Sequence, residues 1–390
     1  MPYGLRIGRI FGIDIHVDWS LIIIFWLITL SLATAAFPLW HPAWSPAVVW
    51  TVAVIAALLF LVSILLHELS HALVARQKGI PISRITLFVF GGMAHMEGEP
   101  RDWRAELWVA LAGPLTSLVI GIGCSFAAAT LWRGAISADG VALGALGPAA
   151  TALAWLGSVN IMIALFNLVP GFPLDGGRVL RASLWGATGD LRRATWWATN
   201  AGRVVAWLLM ISGVAMMLGV RVPVLGTGFI GGLWMTLIGW FLHSAAVAAW
   251  VQMVARQSLQ DVPVARLMRA VESVRADMTL DELVDRHLLT SDQRAYPVVD
   301  SEGGLMGLIC FQDVRRVPRE RWATTRVAEA MTPQDRLAIV DARADAADVL
   351  MKLGERDVAQ VPVVDKGRLR GLIRREDVLR WLALHEPLPH

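Results

Sequence analysis

Six apolar runs of about 20 residues or more govern what this chain can fold into. They lie near residues 18–38, 47–73, 105–132, 147–170, 202–220 and 226–250. A stretch of that length satisfies its backbone in hydrocarbon only as a helix. The chain therefore reads as a polytopic α-helical membrane protein with about six transmembrane helices. Charge is concentrated at the other end. Of 67 Asp, Glu, Lys and Arg residues, 42 follow Gln257. That shift separates a membrane domain, residues 1–257, from a soluble α+β tail.

The loops set the expected orientation. Arg6, Arg9, Arg76, Lys78, Arg84, Arg101, Arg104, Arg178, Arg181, Arg192, Arg193, Arg203 and Arg256 fall on one side, against only Arg133 and Arg221 on the other. By the positive-inside rule the chain is a multi-pass protein of the cell membrane, with both termini and the tail cytoplasmic. No small-residue cleavage site follows the first apolar run closely, so the N-terminus does not read as a signal peptide. Basic residues follow loop positions and form no patch, so the net charge of +3 gives no reason to expect a nucleic-acid partner. Two cysteines, Cys124 and Cys310, exclude a disulfide framework.

Ionisable residues interrupt the second run near its cytoplasmic end. His67-Glu68-Leu69-Ser70-His71 is H-E-x-x-H on a helix. The i, i+4 spacing puts both imidazoles on one face, where they can share a zinc ion. Glu68 then lies beside the metal as a general base toward water. Ionisable groups at that depth are functional by default; the plain alternative is a polar pair packing a bundle core.

A catalytic zinc needs a third protein ligand and an open position. Asp175 is the acidic residue near the end of the fourth run. Pro170 and Pro173 forbid regular helix before it, and Gly176 and Gly177 are expected to allow an unusual turn after it. Broken backbone at membrane depth belongs where it is buried or lines a cavity, so Asp175 is the expected third ligand. Asn167 precedes it and could bond a substrate carbonyl, or merely cap the broken helix.

Together these pieces resemble the site-2 protease family of intramembrane zinc metalloproteases. The matching residues are His67-Glu68-Leu69-Ser70-His71 and Asn167…Pro170…Pro173-Leu174-Asp175-Gly176-Gly177. Between them come Gly91-Gly92 and Ala112-Gly113-Pro114, in the family's order across roughly residues 5–250. The resemblance implies one zinc per chain on His67, His71 and Asp175, with Glu68 and Asn167 catalytic. It implies regulated intramembrane proteolysis, the cleavage of a single-pass or membrane-anchored protein within or near the lipid bilayer. It also implies that Gly91 and Gly92 sit in a membrane-associated β-hairpin that binds unwound substrate. An open strand edge can add an extended peptide through main-chain hydrogen bonds; a simple re-entrant loop is the other reading of that segment.

The tail repeats at about 64 residues. Val264-Ala-Arg-Leu-Met268 recurs as Val327-Ala-Glu-Ala-Met331, Tyr296-Pro-Val-Val-Asp300 as Val361-Pro-Val-Val-Asp365, and Gly307-Leu-Ile as Gly371-Leu-Ile. Each unit reads as helix, strand, turn, strand, helix. This resembles a tandem pair of cystathionine-β-synthase-type (CBS) domains, here 258–318 and 319–390. The resemblance implies an adenine nucleotide in the clefts between repeats, with Asp313 and Asp377 holding ribose hydroxyls. The small Thr or Ser usually found three residues earlier is Cys310 in one repeat and Arg374 in the other. A structural module, or one that forms a homodimer through the pair, is the alternative.

The sequence thus points to a zinc endopeptidase modulated by its CBS pair. A CBS-gated transporter or channel is the competing class. It predicts internal symmetry between membrane halves, and none is visible in the sequence.

Overall fold

The apolar runs become helices, and small residues decide how closely they approach. The computed structural model describes residues 4–385 apart from 90, 97, 99, 132–146, 224, 261, 292 and 356–357. It divides into Met1–Trp250 and Val251–His390. In the first unit, α1 (Ser20–Ser31) continues through a π-helical turn at Leu32–Ala36 into α2 (Phe37–Trp40). Then come α3 (Pro46–Gln77), α4 (Trp103–Leu131), α5 (Pro148–Asn167), α6 (Asp175–Thr188), α7 (Leu191–Met217) and α8 (Phe229–Leu259), whose last residues belong to the second unit. Among the described residues, six spans are long and apolar enough to cross a membrane: Ser20–Trp40, α3, α4, α5, α7 and α8. Ile23, Trp26, Val119, Phe126 and Ile230 are more than half exposed, as lipid-facing side chains are. On the inside, a methyl at Gly121 of α4 would strike Ile161 and the Gly157 carbonyl of α5. Close packing through small residues is the usual glue of membrane helices.

Two spans are longer than their apolar cores. α7 starts at Leu191, not near 202, because the Asp190 side chain caps it, accepting from the Arg193 amide at 3.0 Å. Its first turns carry Arg192, Arg193 and exposed Trp196 and Trp197, which an apolar window passes over. α8 runs on to Leu259.

The expected hairpin is present as β3 (Ile82–Phe88) and β4 (Gly91–Met96), paired antiparallel. It is half of a larger sheet. β1 (Leu5–Ile10) and β2 (Ile13–Val17) form a second hairpin, and β2 runs parallel to β3, giving the order β1-β2-β3-β4. Phe11 (φ 49°) and Gly12 (φ 80°) supply the left-handed pair that a two-residue hairpin turn requires. Ile13, Ile15, Ile85 and Leu87 pack on Leu69, Ala72 and Ala75 of α3 and on Val109 of α4. The sheet therefore lies against the helix that carries the H-E-x-x-H motif, with β4 at its edge.

The tail contains β5 (Val274–Arg275), α9 (Leu280–Leu283), β6 (Ala295–Val299), β7 (Leu305–Cys310), α10 (Phe311–Arg315), α11 (Val327–Ala330), β8 (Thr332–Pro333), β9 (Val340–Asp341), α12 (Ala346–Glu355), β10 (Gln360–Asp365), β11 (Arg368–Arg374) and α13 (Arg375–His385). The repeats exchange their opening segments. Arg269 bridges Leu372 of β11, while β8 pairs with β7 at Leu308↔Thr332. Val264 and Leu267 are buried with Val340, Val361 and Ile373, and Val327 with Val274 and Tyr296. The recurring glycines make room for this: a methyl at Gly371 would strike the Arg269 carbonyl, and one at Gly307 the Thr332 carbonyl. Sequence repeat and packing unit therefore do not coincide.

Candidate metal centre

α3 brings His67 and His71 to one face, one turn apart, and both are buried. Asp175, the first residue of α6, meets them there. Its Oδ2 lies 3.3 Å from His67 Nε2 and 3.2 Å from His71 Nε2, and the two Nε2 atoms are 3.3 Å apart. Zinc bonds of about 2.0–2.1 Å in a tetrahedron put ligand atoms about 3.4 Å apart, so this triangle is the size of one face of a zinc site. His, His and carboxylate is a donor set that leaves a fourth position for substrate or water.

The outer contacts orient the rings the same way. His71 Nδ1 donates to the Val109 carbonyl at 2.6 Å, which leaves Nε2 as the metal-facing lone pair. His67 Nδ1 lies 2.8 Å from Ser117 Oγ. Both partners are on α4. Between them on that helix is Gly113, where a Cβ would collide with Nε2 of both histidines. The absent side chain is the space the ion needs. The residues present therefore fit a single zinc.

Position 175 is reached differently from the sequence expectation. Gly176 and Gly177 do not form a turn: they occupy the first turn of α6. Their role is proximity. A methyl at Gly176 would meet the Leu168 and Val169 backbone, and one at Gly177 the Gly171–Phe172 backbone. The Pro170–Pro173 segment, with a cis Phe172–Pro173 bond, folds back tightly on the helix that follows. α6 is further tied to α4 by an ion pair between Arg181 and the buried Glu106.

Glu68 faces the sheet. A Cβ on Gly92 would fall on the Glu68 side chain, so β4 passes directly over this carboxylate. Gly91 opens the strand at φ 130°, a conformation only glycine adopts without strain. Asn167 ends α5, half-buried, and its side chain has no hydrogen-bond partner among the described residues.

In the tail, Asp313 and Asp377 are buried at the starts of α10 and α13. Asp313 accepts from the Cys310 amide at 3.0 Å and thiol at 2.9 Å, and from exposed Arg316 at 3.4 Å. Burial, then the bond to Asp313, pushes the Cys310 thiol pKa up. Asp377 accepts from Arg269 Nε at 2.7 Å and from Arg374, through its amide at 3.3 Å and Nε at 3.2 Å.

Sequence reasoning singled out the three residues that converge here and the glutamate beside them. It missed Ser117 and the Val109 carbonyl as supports, and Glu106 with Arg181 as a tie. The one signal for Ser117 was its place four residues after Gly113, on the same helical face.

The family model for peptidase family M50 matches residues 55–143 and 133–211, and that for the CBS domain matches 263–320 and 327–384. The chain is 33% identical to a protein of Mycobacterium tuberculosis named as zinc metalloprotease Rip3, over 99% of this chain and 94% of that one. It is 28% identical to zinc metalloprotease MJ0392 of Methanocaldococcus jannaschii, over 99% and 98%. The solved site-2 protease of M. jannaschii aligns with 28% identity and a TM-score of 0.40, covering 63% of this chain and 94% of that one. The chain belongs to peptidase family M50, the site-2 proteases, and is a zinc metalloprotease with a C-terminal pair of CBS domains.

Proposed function

We propose that this protease hydrolyses a peptide bond of a transmembrane or membrane-anchored protein within or near the bilayer. The observation that carries the reading is the joint position of its parts. His67, His71 and Asp175 converge on a helix long and apolar enough to span, and a free sheet edge passes over Glu68 beside them.

His67, His71 and Asp175 would hold the zinc ion, which would supply Lewis acidity toward a water and the scissile carbonyl. Glu68 takes the proton of the attacking water on its carboxylate and returns it to the leaving amide nitrogen. Asn167 donates its amide N–H to the carbonyl oxygen as negative charge develops there. The outer edge of β4 at Gly91 and Gly92 binds the substrate as an added strand. A helical substrate must be unwound before its carbonyl can reach Glu68, and main-chain pairing at that edge holds it extended.

In this reading both termini and the CBS pair are cytoplasmic, as the loop charges argue, and the pair modulates proteolysis from that side. Ligand binding to the pair can shift its arrangement only through different affinities for two states. Asp313 is the candidate acceptor for ribose hydroxyls in the first repeat, since its partners are local caps and one exposed arginine.

The test is a comparison of membrane proteomes from cells carrying the wild-type protein and Glu68→Gln. An uncleaved membrane protein should accumulate in the variant, and purified wild-type enzyme in liposomes should cut it while Glu68→Gln, with its zinc retained, does not. Equal cleavage by both would overturn the assignment of Glu68. If no membrane protein differs between the two proteomes, the substrate class is wrong.

A further inference from the structure

The four-stranded sheet of the membrane unit ends in two edges. One is β4, over Glu68; the other is β1. The depth of β1 follows from α3. At 1.5 Å per residue, positions 46–66 of that helix already cover about 31 Å, the thickness of a hydrocarbon core. The whole of Pro46–Gln77 runs about 48 Å. The sheet packs on Leu69, Ala72 and Ala75, past that first stretch. At the hairpin turn Arg76 donates to the Phe11 carbonyl. The β1–β2 hairpin therefore sits at the level of the lipid headgroups.

β1 is exposed almost throughout. A regular strand would send Arg6 and Arg9 to opposite faces. The register slips between Arg6 and Gly8, and the extra residue returns both arginines to one face. There they share a single acid: Arg6 Nη2 lies 2.8 Å and Arg9 Nε 3.6 Å from Asp14 Oδ1. The arginine side chains are 56% and 63% exposed. Two guanidinium groups on one carboxylate leave a surplus positive charge and most of their donors for a ligand. Around them Leu5, Ile7 and Phe11 are 65%, 57% and 68% exposed, and Trp19 before α1 is 73% exposed. Cations ringed by apolar and aromatic side chains at headgroup depth are the pattern of an interfacial anchor. The other partner open to a sheet edge is a further strand, but a bulge and two charges are what keep an edge from pairing.

We infer that the β1–β2 hairpin binds an acidic phospholipid, with Arg6 and Arg9 on the headgroup phosphate and Leu5, Ile7 and Phe11 in the acyl boundary. A guanidinium meets a phosphate bidentately. A zwitterionic headgroup brings its own ammonium to the same phosphate, so an acidic lipid is favoured. Asp14 holds the two arginines side by side before the lipid arrives. Fixed at this depth, the sheet also keeps β4 at the level of Glu68. The inference depends neither on β4 binding substrate nor on which leaflet is cytoplasmic.

The test titrates full-length protein in detergent micelles with phosphatidylglycerol or phosphatidylcholine and reads retained lipid by native mass spectrometry. Phosphatidylglycerol should occupy one site at least about tenfold more tightly than phosphatidylcholine. Arg6→Gln or Arg9→Gln alone should weaken it about fivefold, and the two together should erase the preference. Arg9→Lys, which keeps the charge and loses the fork, should fall between wild type and Arg9→Gln. Phe11→Asn, a residue that tolerates the φ of 49° at this turn, should weaken both lipids. Arg221→Gln, at an exposed arginine of the opposite loops, should change nothing. Unfolding midpoints in lipid-free detergent should match the wild type in every variant. Equal retention of the two lipids by the wild-type chain would overturn the inference, as would a preference untouched by the double substitution. So would displacement of phosphatidylglycerol by inorganic phosphate, which would make this an anion site without a membrane role.

Discussion

Arg181 of α6 donates through Nε to Glu106 of α4 across 2.6 Å, and the Glu106 side chain is 1% exposed. α4 also carries Val109 and Ser117, which orient the histidines, and Gly113, which leaves space beside them, and α6 begins with Asp175. The pair thus links the helix that supports the two proposed histidine ligands to the helix that begins with the proposed third, Asp175. Glu106→Ala strands the Arg181 guanidinium and should cost about 3–5 kcal/mol, read as a lower unfolding midpoint in detergent. Zinc affinity should fall with it, by about 10-fold or more. An unchanged midpoint would show that the pair is not a tie.

Gly113→Ala places a methyl between the two Nε2 atoms. Zinc binding should weaken by at least about 100-fold, with helix content by circular dichroism unchanged. Stoichiometric zinc in purified Gly113→Ala protein would mean that the ion sits elsewhere.

Ser117→Ala and Asp175→Ala separate support from ligation. The first removes only the partner of His67 Nδ1 and should lower zinc affinity by about 10–100-fold. The second leaves two protein ligands where a stable site needs at least three, so zinc should be lost altogether in a chelator competition. Equal effects of the two substitutions would contradict the assignment of Asp175 as a ligand.

Gly92→Val forces a branched side chain into Glu68 and the edge of β4. Cleavage should be lost while zinc content stays at the wild-type level. Loss of zinc together with activity would make the strand a structural prop of the metal site and not a substrate rail.

Asp377 makes the tail sensitive to acid. Burial alone raises its carboxyl pKa, but the hydrogen bonds and charge of Arg374, with Arg269, outweigh burial and hold it below the usual range. A folded value below the ordinary value of about 3.9 stabilises above that pH, and the contribution is lost as pH falls through the folded value. The tail's unfolding midpoint should therefore drop below about pH 4 in the wild type, and less steeply in Asp377→Asn. Parallel pH curves for the two proteins would refute this.

The sequence was most legible where period and chemistry act together within one element. His67 and His71 are four residues apart on a helix, and Asp175 is the carboxylate at the end of an apolar run, so all three could be named. Ser117 could not, and Gly113 was visible only as part of the family pattern, because their proximity to His67 spans about fifty residues of chain and depends on how two helices pack. Gly176 and Gly177 were visible as glycines but were read as backbone freedom. The structure uses them for close approach within a helix, which spacing alone cannot distinguish. β1 and β2 are five or six residues long, too short for their alternation to stand out before the first apolar run. In the tail the Val-Ala-x-x-Met repeat was evident, but a repeat read along the chain carries no sign that each copy packs in the other's core.

Each repeat lends its opening segment to the other, and this crossing determines what can be inherited. A cut in the 319–326 connection would leave two incomplete cores, one without Val264 and Leu267 and the other without Val327 and strand β8. Gene duplication can create such a pair and fusion can move it whole from one protein to another. Once Gly307 and Gly371 have been shaped around the exchanged backbones, losing half of it is no longer a small evolutionary step.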